Sequence, residues 1–165
     1  MRILLLLFCI CVLSVATAED KSTLDHKVDH PVMHQAQLPV PEGVPVPRLG
    51  MQLSRDAEDG FNLHVELRNF QMESPAFMQS AVEDRVRGHA HLYLNGVKLT
   101  RLYAQDLHLP GRLFRPGINS LQISINDHDH AVLALDNEPI QATILMDPGR
   151  EPFQMSHYSS SPIEL

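Results

Sequence analysis

Ten histidines stand in this chain, and two pairs of them share a spacing that matters for metal chemistry. In Gly88-His89-Ala90-His91 the imidazoles are two residues apart. On a β-strand they project from one face, with Cα atoms ~6.6 Å apart at a rise of ~3.3 Å per residue, so both rings can reach one ion. His128-Asp129-His130 repeats the spacing just after a predicted strand, where strand gives way to loop. His108, in Asp106-Leu107-His108-Leu109-Pro110, points away from its flanking leucines if the segment is extended, and His64 lies on the polar face of its own strand. Imidazole nitrogen suits copper and zinc, with bonds of ~2.0 Å. The pattern nominates His89, His91, His128 and His130 as ligands of a copper ion, or of zinc, with His108 as a fifth ligand or an orienting group. Ring nitrogens about 3 to 4 Å apart are the geometry such a set requires. The plainer alternative is that histidines on the polar face of a strand decorate a surface.

Neighbouring residues extend the same chemistry. Met72 and Met78 flank the histidine-bearing strand and could offer a soft thioether, although methionine usually fills a core. Asp127 and Asp129 could orient ring nitrogens as acceptors. Near the N-terminus, His26, His30 and Met33-His34 recur at intervals of four, but Pro31 breaks any helix that would align them. They read as a polar tail that could collect copper loosely rather than as a fixed site.

Other chemistries are excluded or poorly supported. The chain has no Gly-x-Ser-x-Gly elbow, phosphate loop, His-Glu-x-x-His or dinucleotide fingerprint. A formal charge of -7 removes the cationic footprint that nucleic-acid binding needs. The apolar run Ile3 to Val15 follows Arg2 and ends in Ala16-Thr17-Ala18, a small-x-small cleavage pattern. It is shorter than the roughly 20 residues of a spanning helix, so Met1 to Ala18 is expected to be a secretory signal, with no membrane span after cleavage. Cleavage removes both cysteines and Arg2, leaving a charge of -8 and no disulfide or thiolate. The expected location is the periplasm or the cell exterior.

The elements that must position the histidines alternate with the period of half-buried strands. Leu63, Val65 and Leu67 alternate with polar residues, as do Ala90, Leu92 and Leu94. Asn95-Gly96, the strongest short hairpin signal, leads into Val97 to Tyr103. Pro116-Gly117 turns the chain before Leu121, Ile123 and Ile125, and further strands fall at Val132 to Leu135, Ile140 to Met146 and Leu49 to Leu53. Only Ser80 to Val86 could hold a turn or two of helix. About seven strands in residues 49–147 predict an all-β fold, an antiparallel β-sandwich of immunoglobulin or cupredoxin type. Residues 19–48, with Pro39, Pro41, Pro45 and Pro47 set among valines, are expected to form an arm whose valines dock at a sheet edge, and residues 148–165 a tail without periodicity.

Gly88-His89-Ala90-His91-Leu92-Tyr93-Leu94-Asn95-Gly96, with Arg101-Leu102-Tyr103, His108-Leu109-Pro110, Pro116-Gly117-Ile118-Asn119 and Asn126 to His130, resembles a group of small exported bacterial β-sandwich proteins over about Phe61 to Ile144. More distantly the chain is similar in kind to periplasmic copper-binding proteins and carriers that hold the metal on such a sandwich through His and Met. Copper-zinc superoxide dismutases also place a His-x-His strand at their site, comparable with His89 and His91, but their disulfide has no counterpart after cleavage. The resemblance implies an exported protein that binds copper for transport or storage rather than turning over a substrate. A metal-free immunoglobulin-like module that contacts a periplasmic or secreted protein or a glycan is the alternative, and a dismutase-like enzyme a third. Ligand imidazoles must be neutral, so affinity is expected to fall as pH drops through ~6.5.

Overall fold

The structure is a computed structural model and describes residues 36–77 and 85–160. The chain is all-β, 56% strand, with no α-helix among the described residues. The leader Met1 to Ala18, the histidines of the arm, Met78, residues 80–84 of the helical turn expected over Ser80 to Val86 and residues 161–165 lie outside the described residues, and Val86 itself opens a strand.

Seven principal strands fall where the alternation predicts them. They are β2 (Arg48–Arg55), β3 (Phe61–Arg68), β5 (Val86–Leu94), β6 (Val97–Leu102), β8 (Asn119–Asn126), β9 (Val132–Leu135) and β11 (Gln141–Met146). Five short strands join them: β1 (Gln37–Pro39), β4 (Phe70–Met72), β7 (Asp106–Leu109), β10 (Glu138–Pro139) and β12 (Met155–Ser159). The larger sheet runs β6-β5-β8-β11-β12 with every neighbour antiparallel, while β4 lies parallel to the start of β5 and β1 parallel to β9. The smaller sheet is β2-β3-β7. Leu49, Met51, Leu53, Phe61, Leu63 and Val65 from the smaller sheet share one core with Ala90, Leu92, Leu121, Ile123, Ile125 and Ile144 from the larger. Two sheets closing on one apolar layer is a sandwich arrangement.

The structure departs from the expectation in three places. Its sheets are mixed rather than wholly antiparallel, because the short β1 and β4 add on in parallel. The segment expected to be a tail contributes β12, which pairs with β11 from Met155 to Ser159. All five β12 side chains are exposed, so a strand held by backbone bonds at a sheet edge shows no hydrophobic alternation. Finally, β5 is buried on both faces from Gly88 to Leu94. Its apolar face enters the core, and the face carrying His89, His91 and Tyr93, expected to be polar and wet, is covered as well.

Two glycines make β5 possible. Asn95 and Gly96 have φ of 52° and 81°, the two positive values of a tight hairpin turn into β6. At Gly88 a Cβ would sit 1.9 Å from the Asn126 carbonyl oxygen, so only glycine lets β5 approach the end of β8.

Candidate metal centre

Two elements bring the site together. β5 presents His89 and His91 on one face, as their spacing requires, and both are 1% exposed. The turn that follows β8 supplies His130. The backbone N–H of Ala131 donates to Asp127 Oδ1 at 2.8 Å, Asp127 N–H donates to the Ala131 carbonyl at 3.0 Å, and His130 N–H donates to the Asp127 carbonyl at 3.3 Å. Asn126, fully buried, donates from Nδ2 to the His130 carbonyl at 3.2 Å and accepts from Ser124 Oγ at 2.9 Å. These bonds hold His130 at φ 69°, in the left-handed region that few side chains adopt and that often marks a constrained functional position.

The three rings converge on a small triangle of nitrogens. His89 Nε2 lies 2.9 Å from His91 Nε2 and 3.2 Å from His130 Nδ1, and His130 Nδ1 lies 3.3 Å from His91 Nε2. Three nitrogens bound at ~2.05 Å to one ion are about 2.9 Å apart at right angles and about 3.4 Å apart at tetrahedral angles. The group could therefore hold a metal ion. Protons alone satisfy it poorly. A neutral imidazole has one N–H and one lone pair, so two of any three mutually touching nitrogens must be of the same kind. At least one edge of the triangle then sets lone pair against lone pair, or N–H against N–H. A cation at the centre accepts all three lone pairs and removes the conflict.

Burial prepares the rings for that role. Loss of water, with smaller contributions from His130 and Arg101, lowers His89 to about 4, and loss of water followed by the charge of Lys98 lowers His91 to about 3. Lys98 and Arg101 sit on β6 opposite Tyr93 and His91. Both β5 rings are thus neutral at pH 7, and they take up protons only well below the ~6.5 of free histidine. With the His91 lone pair on Nε2, its proton is on Nδ1, where the Tyr93 hydroxyl oxygen lies at 3.4 Å. Tyr103 flanks the other ring, its centroid 5.8 Å from that of His89.

The remaining sequence candidates stand elsewhere. His128 stacks beside His89 with ring centroids 6.2 Å apart and an interplanar angle of 22°, while its Nε2 faces Glu73 Oε1 at 3.3 Å, so it neighbours the triangle without joining it. His108 belongs to the smaller sheet, where its Nε2 donates to the Asp59 carbonyl at 2.7 Å. It lines an open groove of about 730 Å³ with His64, Asp106 and His157 rather than the triangle. His64 Nδ1 meets Asp106 Oδ1 at 2.7 Å in that groove. Asp127 holds the turn backbone and not a ring nitrogen, Asp129 is exposed, and Met72 packs half-buried against the core.

Sequence reasoning passed over Glu73, which is 5% exposed and paired through Oε1 with Arg87 Nε at 2.9 Å. It also passed over Ser124 and Asn126. No local pattern marks Glu73, whereas the buried Asn126 falls in the quoted Asn126 to His130 stretch and its place at a strand end was readable. No protein-family model matches the chain, and neither a curated protein nor a solved structure matches it.

Proposed function

We propose that this is an exported metal-binding protein that holds one copper ion, or zinc as second choice, through His89, His91 and His130. The observation that carries the reading is the triangle of nitrogens 2.9 to 3.3 Å apart, which ligation satisfies and hydrogen bonding does not. Three neutral imidazoles without thiolate suit divalent copper and zinc, and nitrogen sites favour copper(II) over zinc along the divalent series. Export rests on the leader pattern at Met1 to Ala18, and binding for transport or storage rests on the distant likeness to periplasmic copper carriers. Held on a sheet and a hydrogen-bonded turn, the ligands are positioned before the metal arrives, which favours retention of an ion.

The decisive experiment is titration of the protein lacking residues 1–18 with Cu(II) and Zn(II), beside a His89→Ala/His91→Ala variant. The reading expects one equivalent bound tightly by the parent and none by the variant. Failure of the parent to bind either ion, or equal binding by both proteins, removes it.

A further inference from the structure

Two buried nitrogens beside the triangle have no hydrogen-bond partner in the structure: His89 Nδ1 and His128 Nδ1. They sit on rings stacked at 6.2 Å, and the chemistry of their surroundings fixes which one carries a proton. Glu73 is a carboxylate, since it is buried in an ion pair with Arg87 and also accepts from Gln71 Nε2 at 3.1 Å. An ionised carboxylate only accepts. His128 Nε2, at 3.3 Å from Glu73 Oε1, is therefore the protonated nitrogen of that ring, and its Nδ1 carries the lone pair. His89 is the reverse case. Its Nε2 is a corner of the triangle, so ligation through that atom leaves the proton on Nδ1. One orphan is a donor, the other an acceptor, and they lie on neighbouring rings.

We propose that Glu73 and His128 form an outer support for the ligand His89: Glu73 holds the His128 proton on Nε2, and the lone pair this leaves on His128 Nδ1 receives the Nδ1 proton of His89 through one bridging water. The result is a chain from carboxylate to imidazole to imidazole to metal. A ligand histidine commonly gives its second N–H to a carboxylate or carbonyl, and here a further imidazole stands between. A water is the natural link, because it can accept from one ring and donate to the other. The inference rests on the metal reading above and adds residues whose role is positioning, not ligation. It also explains why a glutamate is buried next to a histidine outside the triangle.

Zinc affinity of the parent, Glu73→Gln, His128→Ala and His89→Ala proteins, together with long-range proton–nitrogen spectra of the ¹⁵N-histidine-labelled zinc forms, tests the proposal. Glu73→Gln and His128→Ala should keep one equivalent of zinc but bind it about 10- to 100-fold more weakly. In the parent spectrum His128 should be protonated on Nε2 and metal-free, with the His89 proton on Nδ1. In Glu73→Gln, whose amide can donate as well as accept, His128 should become a mixture of tautomers, a change that a merely structural role would not produce. Should Glu73→Gln fail to fold, His128→Ala and the parent spectrum decide alone. Affinities within twofold of the parent, a His128 proton on Nδ1, or zinc on His128 itself would overturn the support while leaving the three-histidine site standing. No zinc binding by the parent removes the site and its support together.

Discussion

Two regions carry a pair of strand histidines set among core residues and put them to different ends. On β5, His89 and His91 alternate with core residues, and on β3 and β7, His64 and His108 do likewise. The first pair is buried and meets His130 nitrogen to nitrogen. The second faces an open groove, each ring satisfied singly by Asp106 or by the Asp59 carbonyl. Both pairs sit on hydrogen-bonded strands, so the difference lies in what covers the face. β5 is interior to its sheet between β6 and β8, and the turn after β8 folds His130 over it, whereas β3 and β7 form a three-stranded sheet whose outer face stays open. Alternation marks a face, and only the neighbouring turn decides whether that face becomes a site.

The largest expected effect separates the two regions directly. His89→Ala/His91→Ala should weaken copper(II) and zinc(II) by more than about 100-fold, beyond the range typical of residues that only support a ligand. His64→Ala/His108→Ala should stay within about twofold in the same calorimetric titration, since neither ring touches the triangle.

Acid sharpens the contrast next. His89 and His91 have folded values of about 4 and about 3, below the ~6.5 of an unfolded chain, so the metal-free native state stays unprotonated there while the unfolded state takes up protons. Their contribution is complete above pH ~6.5 and is lost as pH falls toward those folded values. Denaturant midpoints of the metal-free protein should record a loss of about 1.4 kcal/mol per pH unit for each ring below pH ~6.5. A His89→Gln/His91→Gln variant should show a correspondingly shallower slope.

A smaller break acts on the scaffold. Gly88→Ala places a Cβ 1.9 Å from the Asn126 carbonyl oxygen and should cost about 3 kcal/mol in chemical denaturation, displacing the turn that carries His130. At Gly96, where a Cβ meets nothing within 4 Å, alanine strains only a φ of +81° and should cost about 1 kcal/mol without altering metal affinity. The ligand effect is reversible: free zinc at about 100 times its dissociation constant should add about 2.7 kcal/mol to parent stability. The β5 double variant should gain none in the same thermal melt.

The principal strands were legible because their core residues alternate strictly: Leu49, Met51 and Leu53 in β2, or Leu121, Ile123 and Ile125 in β8. β12 was not, since Met155 to Ser159 face solvent and owe their strand to pairing with β11. Nor were the parallel additions β1 and β4, three residues each, too short to show a period. Within the site, spacing pointed to His89, His91 and His130 but equally to His128, which stands beside the triangle. The divergence of His108 was hidden because its sheet membership depends on pairing with β3, which no local pattern reveals. Burial of the imidazole face was hidden too, because it depends on a turn beginning 36 residues after His91 at Asp127. Glu73 looked like any solvated acid until folding set it against Arg87 and His128.

The nitrogen atoms themselves give the most direct measurement. In long-range proton–nitrogen spectra of ¹⁵N-histidine-labelled protein with one equivalent of zinc, His89 Nε2, His91 Nε2 and His130 Nδ1 should all carry the shift of metal-bound nitrogen, with His64 and His108 unchanged from the metal-free spectrum. Zinc-bound shifts on His64 or His108, or an unshifted ring at any corner of the triangle, would contradict the account.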